Sequence, residues 1–125
     1  SRFETRVLMY SGIYKITCLA NNKCYIGQSA RLGERKREHW EKLRLGTHKN
    51  HYLQDDWNTY GALNFKFEIL ERCEEKDLNE RECYWIAHFK STEREFGYNI
   101  QAGGSHKNKG LVAKPRYSNT TKYKR

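Results

Sequence analysis

Residues 9–27 read Met9-Tyr10-Ser11-Gly12-Ile13-Tyr14-Lys15-Ile16-Thr17-Cys18-Leu19-Ala20-Asn21-Asn22-Lys23-Cys24-Tyr25-Ile26-Gly27, and the fold turns on how this stretch is read. The β-formers Tyr10, Ile13, Tyr14, Ile16 and Thr17 predict a strand between Met9 and Leu19. Asn21-Asn22 marks a turn, because Asn tolerates positive φ, and Cys24 to Gly27 resumes an extended pattern. A β-hairpin follows. Opposed residues of an antiparallel pair share a face, so an even number of turning residues sets the Tyr14 and Tyr25 phenols on one side. Cross-strand aromatic packing is the commoner reason for such a pair. Gly12 and Gly27 fit a strand less well, since Gly weakens it unless something approaches the backbone closely.

Working outward, residues 31–45 read as a helix with Leu32, Trp40 and Leu43 on one face and Gly46 as its stop. A short loop with His48 and His51 leads to a second helix near 52–60, striped by Leu53, Trp57 and Tyr60 and ended by Gly61. Phe65, Phe67 and Ile69 alternate with Asn64, Lys66 and Glu68, the pattern of a half-buried strand. Leu78, Trp85, Ile86 and Phe89 make residues 75–90 the clearest helix, and Tyr98-Asn99-Ile100 predicts a short closing strand. The order β-β-α-α-β-α-β predicts an α+β fold: a small mixed, mainly antiparallel three-stranded sheet flanked by helices. Residues 1–9 form an irregular leader, 10–102 one domain, and 103–125 a basic C-terminal tail.

The chain has 125 residues, enough for one modest core. Nine Tyr, five Phe and three Trp oppose a disordered reading despite only 37% hydrophobic residues. No apolar run is long enough to span a bilayer and no secretory leader is visible, so a soluble globular protein is expected. The formal net charge is +9, which points to a polyanionic partner, nucleic acid before membrane. All 15 acidic groups lie in residues 1–102, whereas Lys107, Lys109, Lys114, Arg116, Lys122, Lys124 and Arg125 follow without one acid. Cys18, Cys24, Cys73 and Cys83 lack zinc-knuckle spacing and read as reduced thiols of a cytosolic protein.

Some residues resist a structural explanation. Glu82 lies four after Leu78 and four before Ile86, so helical geometry sets a carboxylate on or beside the apolar stripe. That is costly unless the group is paired, hydrogen-bonded or bound to a cation. It is either a boundary Glu pairing with Arg81 or Arg35, or a metal ligand. Arg35 and His39 share a helix face; the pair suits a phosphate as well as a solvated surface. Lys36, Arg37, Lys42 and Arg44 of the same helix fit a solvated face with Glu partners.

Gly12-Ile13-Tyr14, ten residues, then Tyr25-Ile26-Gly27 resembles the two-part signature of the GIY-YIG nuclease family. Arg35 and His39 in a helix, Glu82 in a late helix and Gly97-Tyr98-Asn99 stand where that family carries its further motifs. The resemblance covers about residues 10–104 and is strongest to the phage and group I intron homing endonucleases. It implies a phosphodiesterase cutting double-stranded DNA with one Mg²⁺ or Mn²⁺ per site. By position, Glu82 resembles the metal ligand, Arg35 the stabiliser of the phosphorane and Tyr14 the general base, with Tyr25, His39 and His48 assisting and Asn99 anchoring. Gln28 departs from the small residues common after the second tripeptide, at a position with no catalytic role.

The physics is compatible with those roles. A phenol with a pKa near about 10 needs nearby positive charge to act as a base at neutral pH. A pre-placed Arg and one cation address the negative charge of the transition state. Excess basic residues, Lys36 and Arg37 among them, read as phosphate contacts, as do Lys107, Lys109, Lys114 and Arg116 of the tail. The tail is then the start of a linker to a separate C-terminal DNA-binding region or a complete short arm, and a double-strand break requires a transient dimer or two nicks. The expected location is the cytoplasm of a bacterial or phage-infected cell, on the nucleoid through DNA. The alternatives are a restriction or repair nuclease on the same fold, a catalytically silent DNA-binding module and, last, an RNA-binding domain, disfavoured because the aromatics sit on periodic core faces.

Overall fold

The computed structural model describes residues 10–103. The leader 1–9 and the tail residues Lys107, Lys109, Lys114 and Arg116 lie outside these described residues. Strands β1 (Gly12–Cys18) and β2 (Cys24–Ser29) form the expected hairpin, followed by helices α1 (Leu32–Leu45) and α2 (His51–Tyr60), strand β3 (Phe65–Arg72) and helix α3 (Leu78–Phe89). The sheet order is β2-β1-β3, with β1 antiparallel to both neighbours. Asn22 adopts the left-handed conformation the turn requires, at φ 65°. No helix among the described residues is long and apolar enough to cross a membrane.

Register divides the sheet into two faces. Tyr14 pairs with Gly27 and Ile16 with Tyr25, so both phenols lie on one side, as the turn parity predicts. There Tyr14, Ile16 and Phe65 pack with Leu32 and Leu43 of α1 and Leu53 and Trp57 of α2. On the other side Ile13 and Ile26 pack with Leu78 and Ile86 of α3. A bulge shifts the β1–β3 register between Ile13 and Tyr14, and half-buried Leu70 joins the α3-side core beside it. Gly12 is required at that bulge, because a Cβ would overlap the Glu71 carbonyl.

On α1 Leu32 and Leu43 are buried with half-buried Trp40 packed against the same core, and His39 joins them seven residues after Leu32, in phase with the helical period. Two expectations need correction. On α2 Gln54 is buried and Tyr60 is exposed. The closing strand is reduced to one parallel bridge, Cys24 to Gly97, in which Cys24 N–H donates to the Phe96 carbonyl and Tyr98 N–H to the Cys24 carbonyl. The ladder stops there because the Asn99 side chain takes over. Its Nδ2 donates to the Ile26 carbonyl (2.9 Å) and its Oδ1 accepts from the Ile26 N–H (2.8 Å), as a neighbouring peptide group would.

Candidate active site

A cleft of about 450 Å³ opens along the β2 edge, where the two faces of the sheet meet. Tyr25, Arg35, His39, His48, Glu82 and Asn99 all line it. Tyr14 stands behind them, fully buried, its ring stacked on Phe67 and its centroid 6.4 Å from that of Tyr25. Gly27 makes room for it, since a Cβ at that position would overlap the Tyr14 hydroxyl. This explains a strand glycine that the sequence leaves open.

Tyr14 ends a hydrogen-bond chain whose direction is fixed at its far end. The backbone N–H of Asn50 donates to His48 Nδ1 (3.0 Å), so the neutral His48 ring carries its proton on Nε2. That N–H donates to His39 Nδ1 (2.7 Å), and His39 in turn donates from Nε2 to Tyr14 Oη (2.5 Å). Both imidazoles are held neutral. Burial, the adjacent His48 and the Arg35 charge lower His39 to about 3. Burial and then Lys42 lower His48 as well. The Tyr14 oxygen is therefore an acceptor of a buried N–H, and its own proton is not shared with His39.

The phenols are held protonated by their surroundings. Burial pushes Tyr14 well above its usual range, with Tyr25 and Glu82 adding to the rise and Arg35 opposing it. Burial, then the Glu82 charge, lifts Tyr25 to about 12, again against Arg35. Positive charge placed at Glu82 would reverse that carboxylate's effect on both.

Glu82 is 9% exposed, whereas Glu80 is exposed, so the helical phase selects Glu82 for the cleft. Arg81 pairs with Glu71, its Nε donating to both carboxylate oxygens. Among the described residues no cluster of three or more His, Cys, Asp or Glu could hold a metal. The cleft's other carboxylate, Glu38, is exposed and pairs with Arg35 at 3.2 Å. One buried carboxylate open to a cleft fits Mg²⁺, which retains waters and takes substrate oxygens as further ligands.

Several contributors were not singled out by sequence. Asn50 orients His48 through its amide, caps α2 by accepting from Leu53 N–H and donates to the Tyr98 carbonyl. Its signal was available, an Asn directly before a helical stripe. Buried Gln54 accepts from the His48 N–H. Arg94 donates to the Asn99 carbonyl. Gln28 does touch the site: its Nε2 donates to Glu82 Oε1. Lys42 and Lys49 line the cleft, while Lys36 lies over the Trp40 ring and Arg37 is exposed on α1, neither lining it.

Residues 10–99 match the family described as the GIY-YIG catalytic domain. The chain is 40% identical over 94 residues to intron-associated endonuclease 1 of Enterobacteria phage T4, covering 74% of this chain and 37% of that protein. It thus spans little more than a third of that relative's length. Two solved structures are similar, both of the catalytic domain of the intron homing endonuclease I-TevI, one of them a point mutant. The mutant superposes with a TM-score of 0.69 at 35% identity, over 77% of this chain and 98% of that one. The other gives 0.67 at 35% identity, over 73% and 98%. With the tyrosines, histidines, arginine, glutamate and asparagine gathered at one cleft, this chain belongs to the GIY-YIG nuclease family.

Proposed function

We propose that the chain cuts double-stranded DNA as a homing-type endonuclease, using one Mg²⁺ or Mn²⁺ held by Glu82 and Tyr14 as general base. One observation carries this reading: residues from β2, α1 and α3 converge on a cleft that presents Arg35, Lys42 and Lys49 around a single buried carboxylate, with Tyr14 of β1 directly behind it. In it Arg35 stabilises charge on the phosphate oxygens, and Lys42 and Lys49 hold the backbone. The cation supplies further positive charge at the scissile phosphate. His39 donates to the Tyr14 oxygen and, with the Arg35 charge, favours the phenolate; once Tyr14 has given its own proton to bulk water, that phenolate takes a proton from the attacking water. Tyr25 orients that water, and Asn99 holds the β2 backbone beside it.

One such site per chain cuts one strand per visit, so a double-strand break requires a transient dimer or two nicks. Most target affinity belongs to a separate DNA-binding region, in keeping with a relative more than twice the length matched here. Such a protein works in the cytoplasm of a bacterial or phage-infected cell, on nucleoid DNA. The test is nicking of supercoiled plasmid at low salt with added Mg²⁺. The intact chain should nick, and Glu82→Ala should bind DNA without cutting. Binding without cleavage by the intact chain, in Mg²⁺ and in Mn²⁺, would instead make it a silent DNA-binding module.

A further inference from the structure

Gln28 follows Tyr25-Ile26-Gly27 directly and pairs with Ile13 across the hairpin. Strand alternation turns it to the face opposite Tyr25, the face covered by α3. There its Nε2 donates to Glu82 Oε1 and to Asn79 Oδ1, both at 2.8 Å. Asn79 and Glu82 are three residues apart on α3, so one amide nitrogen bridges neighbouring turns of a single helix face. A carboxylate can only accept, so the nitrogen and not the oxygen of Gln28 must face Glu82. Both of its N–H bonds are then engaged and the amide cannot turn over.

We propose that Gln28 is a positioning residue for Glu82, holding one carboxylate oxygen so that the group meets a divalent cation in a fixed orientation. The inference rests on the reading of Glu82 as metal ligand. A neutral donor is the chemically apt choice. A Lys or Arg at this position would orient the carboxylate equally well but cancel the charge that attracts the cation. An apolar residue would leave the charge but release the side chain. Orienting partners of this kind, once removed, typically lower metal affinity or activity about 10- to 100-fold.

The test follows Mn²⁺-induced broadening of backbone amide signals near Glu82 in ¹⁵N-labelled chain, together with the Mg²⁺ concentration that half-saturates nicking. Gln28→Met keeps an unbranched side chain of similar length and removes the donor; its midpoints should rise about tenfold. Maximal nicking at saturating Mg²⁺ should be largely retained. Gln28→Glu sets a second carboxylate beside the first, and its Mn²⁺ midpoint should fall below that of the intact chain. Should Gln28→Met fail to fold, Gln28→Asn, whose amide falls one carbon short, carries the same expectation. Unchanged midpoints, or a lower maximal rate at an unchanged midpoint, would overturn the proposal and leave Gln28 as a tie between β2 and α3. Glu82→Gln separates the two levels: if it broadens as the intact chain does, the metal-ligand reading itself fails.

Discussion

On one face of the sheet Tyr14 meets α1 through a buried phenol–imidazole contact that continues to His48 and the Asn50 amide; on the other, Ile13 and Ile26 meet Leu78 and Ile86 of α3 through apolar area. The first face is directional. From the Asn50 amide to Tyr14 each polar group has a fixed partner, and one misplaced atom reverses or breaks the chain. The second is tolerant of shape and contributes mainly by removing surface from water, at roughly 25 cal/mol per Å². The cleft uses both: an oriented tyrosine from one side, and from the other a carboxylate held on α3 beside Gln28 and Asn79 at the margin of the apolar packing. The contrast on β1 is thus one of degree: the Tyr14 face sets a directional polar chain into its own apolar core, whereas the Ile13 face is held by apolar area.

Substitutions can separate the two faces. The largest effect is expected for Tyr14→Phe, which removes the proposed base and leaves the His39 N–H without its acceptor. Nicking should fall by about 10²–10⁴-fold, while urea unfolding should show a loss of only about 1–3 kcal/mol. Ile13→Ala reverses the pattern. It should destabilise by about 2–5 kcal/mol, yet the rate per folded molecule should stay near that of the intact chain. If Ile13→Ala instead removes activity in proportion to Tyr14→Phe, the two faces are not independent. Gly27→Ala is the intermediate case: its methyl would displace the buried Tyr14 hydroxyl, so nicking should fall further than the melting temperature.

A smaller effect sharpens the contrast through pH. His39 titrates near 3 in the fold because of its burial, against about 6.5 when unfolded. A group with its folded pKa depressed stabilises fully above the unfolded pKa and loses that stability as pH falls towards the folded one. Burial depresses His48 in the same direction. Thermal melts should therefore show stability declining below about pH 6.5, and His39→Gln should flatten that slope. An unchanged slope in the variant would mean that the imidazole is not held neutral by the fold.

The hairpin, its register and the helices were legible because period-2 and period-3.6 patterns fix which side chains share a face. Glu82 was legible for the same reason, as a charge on an apolar stripe. Tyr14, by contrast, looks like ordinary aromatic packing until His39 is seen to reach it from a helix 25 residues away. The Tyr60 assignment failed where buried Gln54 took the core-facing position that hydrophobicity gave to an aromatic, and on α1 His39 joined Leu32, Leu43 and Trp40 at the core unforeseen. Asn99 was expected in a strand, and its side chain imitates one. Side chains that substitute for backbone leave no periodic trace. The same holds for Gln28, whose partner is 54 residues away.

The Asn99 clamp on Ile26 also bears on the order of assembly. It joins residues 73 apart, and closing a loop of that length costs about 4 kcal/mol in chain entropy before any contact forms. The hairpin and its turn are local by comparison and can form early. On a ribosome, Tyr14, Tyr25, Arg35 and Glu82 all emerge before the segment that braces the β2 edge beside them. A nascent chain therefore carries its chemistry in an unbraced state, and the finished cleft arrives only with Gly97 to Asn99.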